Sequence, residues 1–150
     1  MAPIHDAAQK GDLQKVKDIA YADPSAVHAK GGSENTPLHL AAYHDHAHMV
    51  KELLRRGADI EARDRHKNTP LHLAAMSGHA HVVKELLERG ADIEARTRWG
   101  QDTPLMHAAA LGNLAAALAL LAHGADPKAE NIANDTALGN AKVLKNNQWE

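Results

Sequence analysis

Hydrophobic and polar residues alternate along the chain in short segments that recur every 33 residues. The segment TPLHLAA at residues 36–42 returns unchanged at 69–75 and in altered form at 103–109, and its start recurs weakly at 136–138. The apolar residues within each copy are spaced by three to four positions, as expected for a short helix with one buried stripe. A fixed period of this length indicates a stack of small units rather than one globular core.

The pattern predicts that each unit is a helix, a turn, a second helix and an extended loop. Thr36 is a good N-cap, and Pro37 suits the first helical turn. Asp45 stands where the other units have a glycine that would end the first helix in a left-handed turn. The second helices carry their own apolar stripe and end at Gly57, Gly90 and Gly124. Because such short helices are unstable alone in water, each must pack against the neighbouring unit.

The units resemble ankyrin repeats, whose signature T-P-L-H-x-A followed by G-H and later G-A-D is matched twice here. The resemblance covers essentially the whole chain and implies an all-α solenoid, a single domain over residues 1–150. We divide it at about 1–33, 34–66, 67–100 and 101–133, with a C-terminal helical cap at 134–150. Six residues at 97–102 stand where five stood at 64–68, and we expect the extra residue to lie in the loop.

Composition excludes several classes of protein. The chain has no cysteine, and therefore no disulfide, thiol nucleophile or cysteine-based zinc site. Its net charge of −2 gives no bias toward nucleic acid or an anionic membrane. The first residues lack the features of a secretory signal, and the longest apolar run, at 114–122, is too short to cross a bilayer. We therefore expect a cytoplasmic protein that binds neither nucleic acid nor membrane.

Twelve histidines raise the question of a metal site or acid–base catalysis. Most fall on repeated positions, and the resemblance implies that the T-P-L-H histidines, His39 and His72, hydrogen-bond between neighbouring loops. The carboxylates of Asp59, Glu61 and their equivalents also recur with the period, which marks them as architectural. We predict no catalytic residue, no metal and no cofactor. A histidine-based metalloprotein or enzyme is the alternative that a zinc titration would test.

Units two and three match at 25 of 33 positions, and four of the eight differences are Glu34/Lys67, Tyr43/Met76, His44/Ser77 and His66/Trp99. By resemblance these lie on or beside the loop tips and the concave ends of the first helices, the surfaces with which ankyrin repeats bind partners. The near-identity also leaves open an engineered ankyrin binding scaffold, and the repeats could instead dock onto another domain of a longer protein.

The loop tips between units are rich in arginine, and Trp99 stands among these arginines. Tryptophan and arginine are both enriched among binding hot spots. We therefore predict a protein–protein interaction module, monomeric on its own, whose partner is another protein with an acidic patch and a hollow for Trp99. The candidate contact residues are Tyr43, His44, Arg63, Arg65, His66, Met76, Ser77, Arg96, Arg98, Trp99, Ala110 and Leu111.

Overall fold

The computed structural model describes residues 2–139 and contains four consecutive pairs of short helices. Two short 3-10 turns, Pro24–His28 and Gly32–Glu34, lie between α2 and α3, and a further helix begins at 137–139. The described residues contain no strand, which confirms the all-α solenoid. The helices are α1 (Pro3–Lys10), α2 (Leu13–Ala22), α3 (Pro37–Tyr43), α4 (Ala47–Arg55), α5 (Pro70–Ser77), α6 (Ala80–Glu88), α7 (Pro104–Ala110) and α8 (Leu114–Ala122).

The units stack so that each helix packs on its equivalents in the neighbouring units. The first helices α1, α3, α5 and α7 form one layer, and the second helices α2, α4, α6 and α8 form the other. The core lies between the layers and runs through the whole stack without a break. Leu53 and Leu86, which the sequence predicts to be buried between second helices, are fully inaccessible, as is Leu120.

Threonine caps begin the first helices α3, α5 and α7, as predicted, whereas α1 begins after Ala2 without a side-chain cap. The hydroxyl of Thr36 accepts a hydrogen bond from the backbone N–H of His39, and Nδ1 of His39 accepts one from the backbone N–H of Thr36. Thr69 and His72 repeat this reciprocal pair in unit three. The arrangement satisfies N–H groups that would otherwise have no partner at a helix start.

The turn between the two helices of each unit is left-handed, including the turn with aspartate. Asp45 has φ 63°, close to the 75°, 78° and 71° of Gly11, Gly78 and Gly112. The predicted left-handed backbone at Asp45 is therefore confirmed. Residues other than glycine and asparagine rarely adopt this conformation without a steric cost, and aspartate is among the better-tolerated exceptions.

Between units, the chain forms a tight hairpin-like loop that we call a finger; the four fingers are residues 31–35, 64–68, 97–102 and 131–135. The second closes with a hydrogen bond from the N–H of Asp64 to the carbonyl of Asn68, and the third with one from Thr97 to Asp102. The extra residue of unit three lies in its finger, as expected. Residues 58–62, predicted to be extended, instead contain a turn in which the Asp59 carboxylate accepts the N–H of Glu61.

Neighbouring fingers are joined at their tips by single backbone hydrogen bonds, which define their true register. The N–H groups of Arg65, Arg98 and Ile132 donate to the carbonyls of Ser33, His66 and Gly100, respectively, each at 2.9 Å. Gly100 therefore takes the place that His66 has in the preceding finger. The pairing of His66 with Trp99 across the 33-residue interval is wrong, because Trp99 is the additional residue and has no equivalent.

The division of the chain at residues 33, 66, 100 and 133 remains a prediction. Most of the predicted cap at 134–150 lies outside the described residues, since the description ends at residue 139. Within residues 2–139, no helix has both the length and the apolar character needed to span a membrane.

Candidate functional site

A groove of about 380 Å³ runs between the first helices of units two and three and the adjoining fingers. Its walls include four of the predicted contact residues, Tyr43, His44, His66 and Met76. Tyr43 lies at the end of α3 and Met76 in the last turn of α5, so the stacking of these helices brings the two side chains to the same wall. The groove combines an apolar lining with a few polar groups, which is typical of recognition sites.

Tyr43 and His44 of the groove wall belong to a small aromatic cluster. The ring of Tyr43 meets the ring of His44 edge to face, with centroids 5.0 Å apart, and His44 stacks on His46 at 6.3 Å. Burial, and then the nearby His46 and His79, hold the pKa of His44 below its usual value. His44 therefore offers a neutral imidazole to a ligand rather than a positive charge.

The tips of the second and third fingers present exposed arginines and a tryptophan. Trp99 is 72% exposed, so it does not fold back onto its own loop. The guanidinium carbon of Arg98 lies 5.6 Å from the centroid of the Trp99 ring, within the range of a cation–π contact. Among the described residues, neither Arg65 nor Arg98 takes part in an ion pair, so both charges face solvent.

Arg63 and Arg96, which the sequence analysis placed among the contact residues, also link one unit to the next. Nη1 of Arg63 donates to the carbonyls of Lys67 and Arg96, at 2.8 Å each. Arg96 repeats this with the carbonyls of Gln101 and Glu130. The recurrence of a basic residue at this position, beginning with Lys30, was the signal in the sequence for this structural role.

The remaining predicted contact residues lie outside the groove, and one exposed residue was missed. Ser77 ends α5, whereas Ala110 ends α7 and Leu111 follows it; the latter two are exposed. Ile132, not identified from the sequence, is 71% exposed on the fourth finger and donates its N–H to Gly100, next to Trp99 in the chain. It stands where the two preceding fingers have Arg65 and Arg98, and this change from basic to apolar was the available signal.

The buried histidines hold the stack together. Nε2 of His39 donates to the carbonyl of Asn68, and Nε2 of His72 to that of Asp102, at 2.9 Å each. These bonds between neighbouring loops confirm the role that the resemblance implied. Burial, and then the neighbouring His107, lower the pKa of His72 to about 3, so it stays neutral. Within residues 2–139, no three histidine, aspartate or glutamate side chains are close enough to hold a metal ion.

The recurring carboxylates are architectural, as predicted. The Glu61 carboxylate accepts the backbone N–H of Asp92 at 3.1 Å, and Glu94 accepts that of Asp126 at 2.9 Å, so each fixes the next loop. The Asp59 and Asp92 carboxylates close turns within their own loops. These carboxylates therefore form structural hydrogen bonds that recur in successive units.

Helix pairs capped by threonine, joined by left-handed turns and linked through buried histidines define a stacked-repeat protein. Comparison with protein-family models agrees. A model of three ankyrin repeats matches residues 4–97, and a model of a single ankyrin repeat matches residues 100–132. The chain belongs to the ankyrin repeat family. Ankyrin repeats are protein–protein interaction modules and are generally not catalytic.

Similarity to individual proteins is confined to short stretches. The chain is 45% identical over 58 residues to the serine/threonine-protein kinase VIK of Arabidopsis thaliana, covering 39% of this chain and 13% of the kinase. It is 39% identical over 56 residues to ankyrin repeat domain-containing protein 49 of Homo sapiens, 37% of this chain and 23% of that protein. It is also 36% identical over 61 residues to alpha-latrocrustotoxin-Lt1a of Latrodectus tredecimguttatus, 41% of this chain and 4% of the toxin. The matched stretches thus span less than a quarter of each relative.

Proposed function

We propose that this array binds a partner protein with an acidic surface patch, through the groove and the tips of the second and third fingers. One observation carries the proposal: the groove lined by Tyr43 and Met76 includes His66 of the second finger, whose tip exposes Arg65 and is hydrogen-bonded to the third finger, which exposes Arg98 and Trp99. Apolar and basic recognition groups thus lie within one surface of the stack. Aromatic and arginine side chains are the types that most often anchor an interface.

The acidic character of the partner follows from the distribution of charge over the fingers. The exposed charges of the second and third fingers are Arg65, Lys67 and Arg98, all positive, although the chain as a whole has a net charge of −2. The outer fingers expose Glu34 and Asp135. A partner with negative groups opposite the middle fingers would be steered into register by this pattern.

Trp99 is the proposed anchor. Because it is the additional residue of its finger, its side chain takes no part in the contacts that repeat from unit to unit. It is exposed, as is Ile132, whose N–H donates to the carbonyl of the adjacent residue Gly100, so the two can contribute apolar area to an interface. Burial of a tryptophan in a hollow of the partner would use this area, as is common at the centre of interfaces.

We further propose that the protein acts as a monomer without catalysis. The outward faces of α4 and α6 expose polar and charged residues, including Lys51, Arg55 and Lys84, which disfavour packing against a second copy. The buried His39 and His72 and the recurring carboxylates already have partners within the array. The cytoplasmic location remains a prediction from the sequence.

The test compares capture of partners by wild type, Trp99→Ala and the double variant Arg65→Glu/Arg98→Glu, followed by binding kinetics on the isolated partner. Trp99→Ala should weaken binding by about 2 kcal/mol or more, roughly 30-fold, chiefly through faster dissociation. The charge reversal should slow association and reduce its dependence on salt. Circular dichroism should show that both variants keep the fold.

Two matched controls lie away from the proposed surface. Tyr21→Ala removes an aromatic ring that is 86% exposed on α2, and Lys84→Glu reverses an exposed charge on α6. Both should bind as the wild type does. If the Trp99 variant and the arginine double variant also bind like wild type, the proposed surface is wrong.

A further inference from the structure

One residue of the groove lining carries a buried hydrogen-bond acceptor that the protein itself leaves unused. Asn68 lines the groove and is only 7% exposed, yet its side-chain oxygen Oδ1 has no hydrogen-bond partner. Its Nδ2 donates to the Asp64 carboxylate at 3.3 Å, which fixes the orientation of the amide, because a flipped amide would turn its oxygen toward the carboxylate. An unsatisfied buried oxygen is unfavourable, and such groups are uncommon in native proteins.

The preceding unit repeats this feature. Asn35, which is equivalent to Asn68 across 33 residues, also lines the groove, and its Oδ1 is likewise buried and unpartnered. Helices of adjacent units lie roughly 8–10 Å apart, a distance that an extended chain covers in about three residues. One extended ligand could therefore pass from one acceptor to the other.

The next unit shows how the array satisfies this position when no ligand is needed. Asp102 is the equivalent of Asn68, and its Oδ1 accepts a hydrogen bond of 2.8 Å from Nδ2 of Asn131 on the following finger. For Asn68, the residue equivalent to Asn131 is Thr97, whose hydroxyl oxygen accepts the backbone N–H of Asp102 instead. For Asn35 the equivalent is Asp64, whose carboxylate accepts the backbone N–H groups of His66 and Asn68 instead. Neither acceptor is therefore satisfied by the neighbouring finger.

We infer that the groove binds an extended segment of the partner that carries acidic residues beside an apolar anchor and donates a main-chain N–H to Asn68. This inference rests on the proposed function. The apolar anchor would lie between Tyr43 and Met76. The flanking carboxylates of the bound segment would face Arg65 and Arg98. The same two arginines disfavour a lysine or arginine side chain of the segment as the hydrogen-bond donor to Asn68. Since Asn68 is covered in the free protein, part of the groove wall moves as the ligand enters, and the flexible Met76 side chain is suited to this.

An extended segment fits these acceptors better than a helix does. The N–H groups in the interior of a helix are already bonded to carbonyls four residues earlier, so a helix presents no free main-chain donor from its side. An extended chain has no internal hydrogen bonds and carries an N–H at every residue except proline. The ligand class is therefore an acidic peptide segment recognised partly through its backbone.

The probe is a set of acetylated synthetic peptides of about eight residues, which extend over roughly 27 Å. Each has two glutamates at one end, one variable apolar residue near the centre, and glycine or serine elsewhere. Binding is measured by fluorescence polarisation and by NMR of the isotope-labelled full chain. We expect at least one peptide to bind, to shift the Asn68 side-chain amide signal, and to lose at least tenfold in affinity on N-methylation at one backbone position.

The matched protein variant is Thr97→Asn, which recreates the residue found at position 131. Its Nδ2 would donate to Asn68 and satisfy the acceptor from within the protein. We expect this variant to melt at a higher temperature and to bind the parent peptide about tenfold more weakly. It should bind the N-methylated peptide, which already lacks the donor, as wild type does. Replacing the glutamates of the peptide by glutamine should weaken binding to both proteins.

The outcomes separate this inference from the proposed function. Peptides that shift the signals of Tyr43 and Met76 but are insensitive to every N-methylation and to Thr97→Asn would overturn the backbone inference alone. Failure of all the peptides to bind would also overturn it, whereas the Trp99 and arginine variants would still test the proposed function against a protein partner. Peptide binding that leaves the NMR signals of Tyr43 and Met76 unchanged would count against the groove as the binding site, both in this inference and in the proposed function.

Discussion

Lowering the pH from 7 to 5 should destabilise the array through its buried neutral histidines, and His72 gives the size of the effect. Its side chain is fully buried, donates from Nε2 to the carbonyl of Asp102 and accepts at Nδ1 from the N–H of Thr69. Burial, and then the neighbouring His107, lower its pKa from 6.5 to about 3. Protonation would place a charge in the core and remove the acceptor for Thr69.

The sign and magnitude follow from proton linkage. Between pH 6.5 and pH 3 the unfolded chain binds a proton at His72 that the folded chain does not, so the free energy of unfolding falls as the pH falls. With 1.36 kcal/mol per pKa unit, the cost is about 0.2 kcal/mol at pH 7 and about 2 kcal/mol at pH 5. Burial also lowers the pKa values of His39 and His107, which therefore act in the same direction.

Carboxylates interfere little in this pH range. Burial opposes ionisation of Glu52 and Glu85, but their basic partners outweigh it and keep the pKa of each below its usual value. Both therefore remain ionised at pH 5. Burial raises the pKa of Glu61, which opposes the histidine effect, so the contribution of His72 is best measured as a difference between variant and wild type.

The assay is urea unfolding at pH 7, 6 and 5 of wild type, His72→Gln and His81→Gln. Glutamine does not titrate, so His72→Gln should be less stable at pH 7 because it loses native hydrogen bonds, but its loss between pH 7 and pH 5 should be about 2 kcal/mol smaller than that of wild type. His81 is exposed on α6, and its variant should follow wild type. Parallel pH dependence of wild type and His72→Gln would refute the argument.

Three further changes test the packing of the array. Asp45→Gly should raise the melting temperature, by a stabilisation of up to about 1 kcal/mol, because glycine adopts the left-handed turn without steric cost. Leu53→Ala should cost about 2–5 kcal/mol in the free energy of unfolding, whereas Leu120→Ala should cost less and increase hydrogen exchange chiefly in the last units. Arg63→Met should destabilise the stack by about 1–2 kcal/mol, measured by urea unfolding, whereas Arg65→Met should change stability by less than about 0.5 kcal/mol.

Each of these predictions has a contrary outcome. An unchanged or lower melting temperature for Asp45→Gly would mean that the contact of its carboxylate with His79, at 3.8 Å, outweighs the backbone cost. Equal losses for the two leucine variants, each with a single transition, would indicate one cooperative block. Equal effects of the Arg63 and Arg65 variants would mean that the bonds between fingers contribute little to stability.

Most of the fold could be predicted from the sequence because its signals are local and recur in every unit. The threonine before proline, the left-handed position and the apolar stripe each determine one feature within a few residues. The register of the fingers could not be predicted in this way. The 33-residue interval paired His66 with Trp99, but the bond from Ile132 to Gly100 shows that the additional residue is Trp99 itself. An alignment at a fixed interval pairs residues by their number in the chain. The backbone hydrogen bonds between fingers instead leave out Trp99 and place Gly100 opposite His66.

The roles of the finger arginines needed the structure for a related reason. From the sequence, Arg63 and Arg65 are two basic residues in one loop, and nothing local distinguishes them. In the stack, Arg63 reaches the carbonyl of Arg96, which directly precedes the next finger, whereas Arg65 extends into solvent. The distinction depends on contacts between residues 33 positions apart, which exist only after the units have stacked.

These contacts suggest a way to separate structural from recognition residues in a repeat array. Some side chains recur with the period, such as Arg63, Glu61 and His39. They form hydrogen bonds with the following unit and so are not available to a partner protein. A residue that breaks the period cannot join such a ladder. Trp99 has no equivalent in the neighbouring fingers. Asn68 recurs as Asn35, but neither receives the donor that Asn131 gives to Asp102. Groups that the stack leaves unused in these ways are those with which a partner can interact.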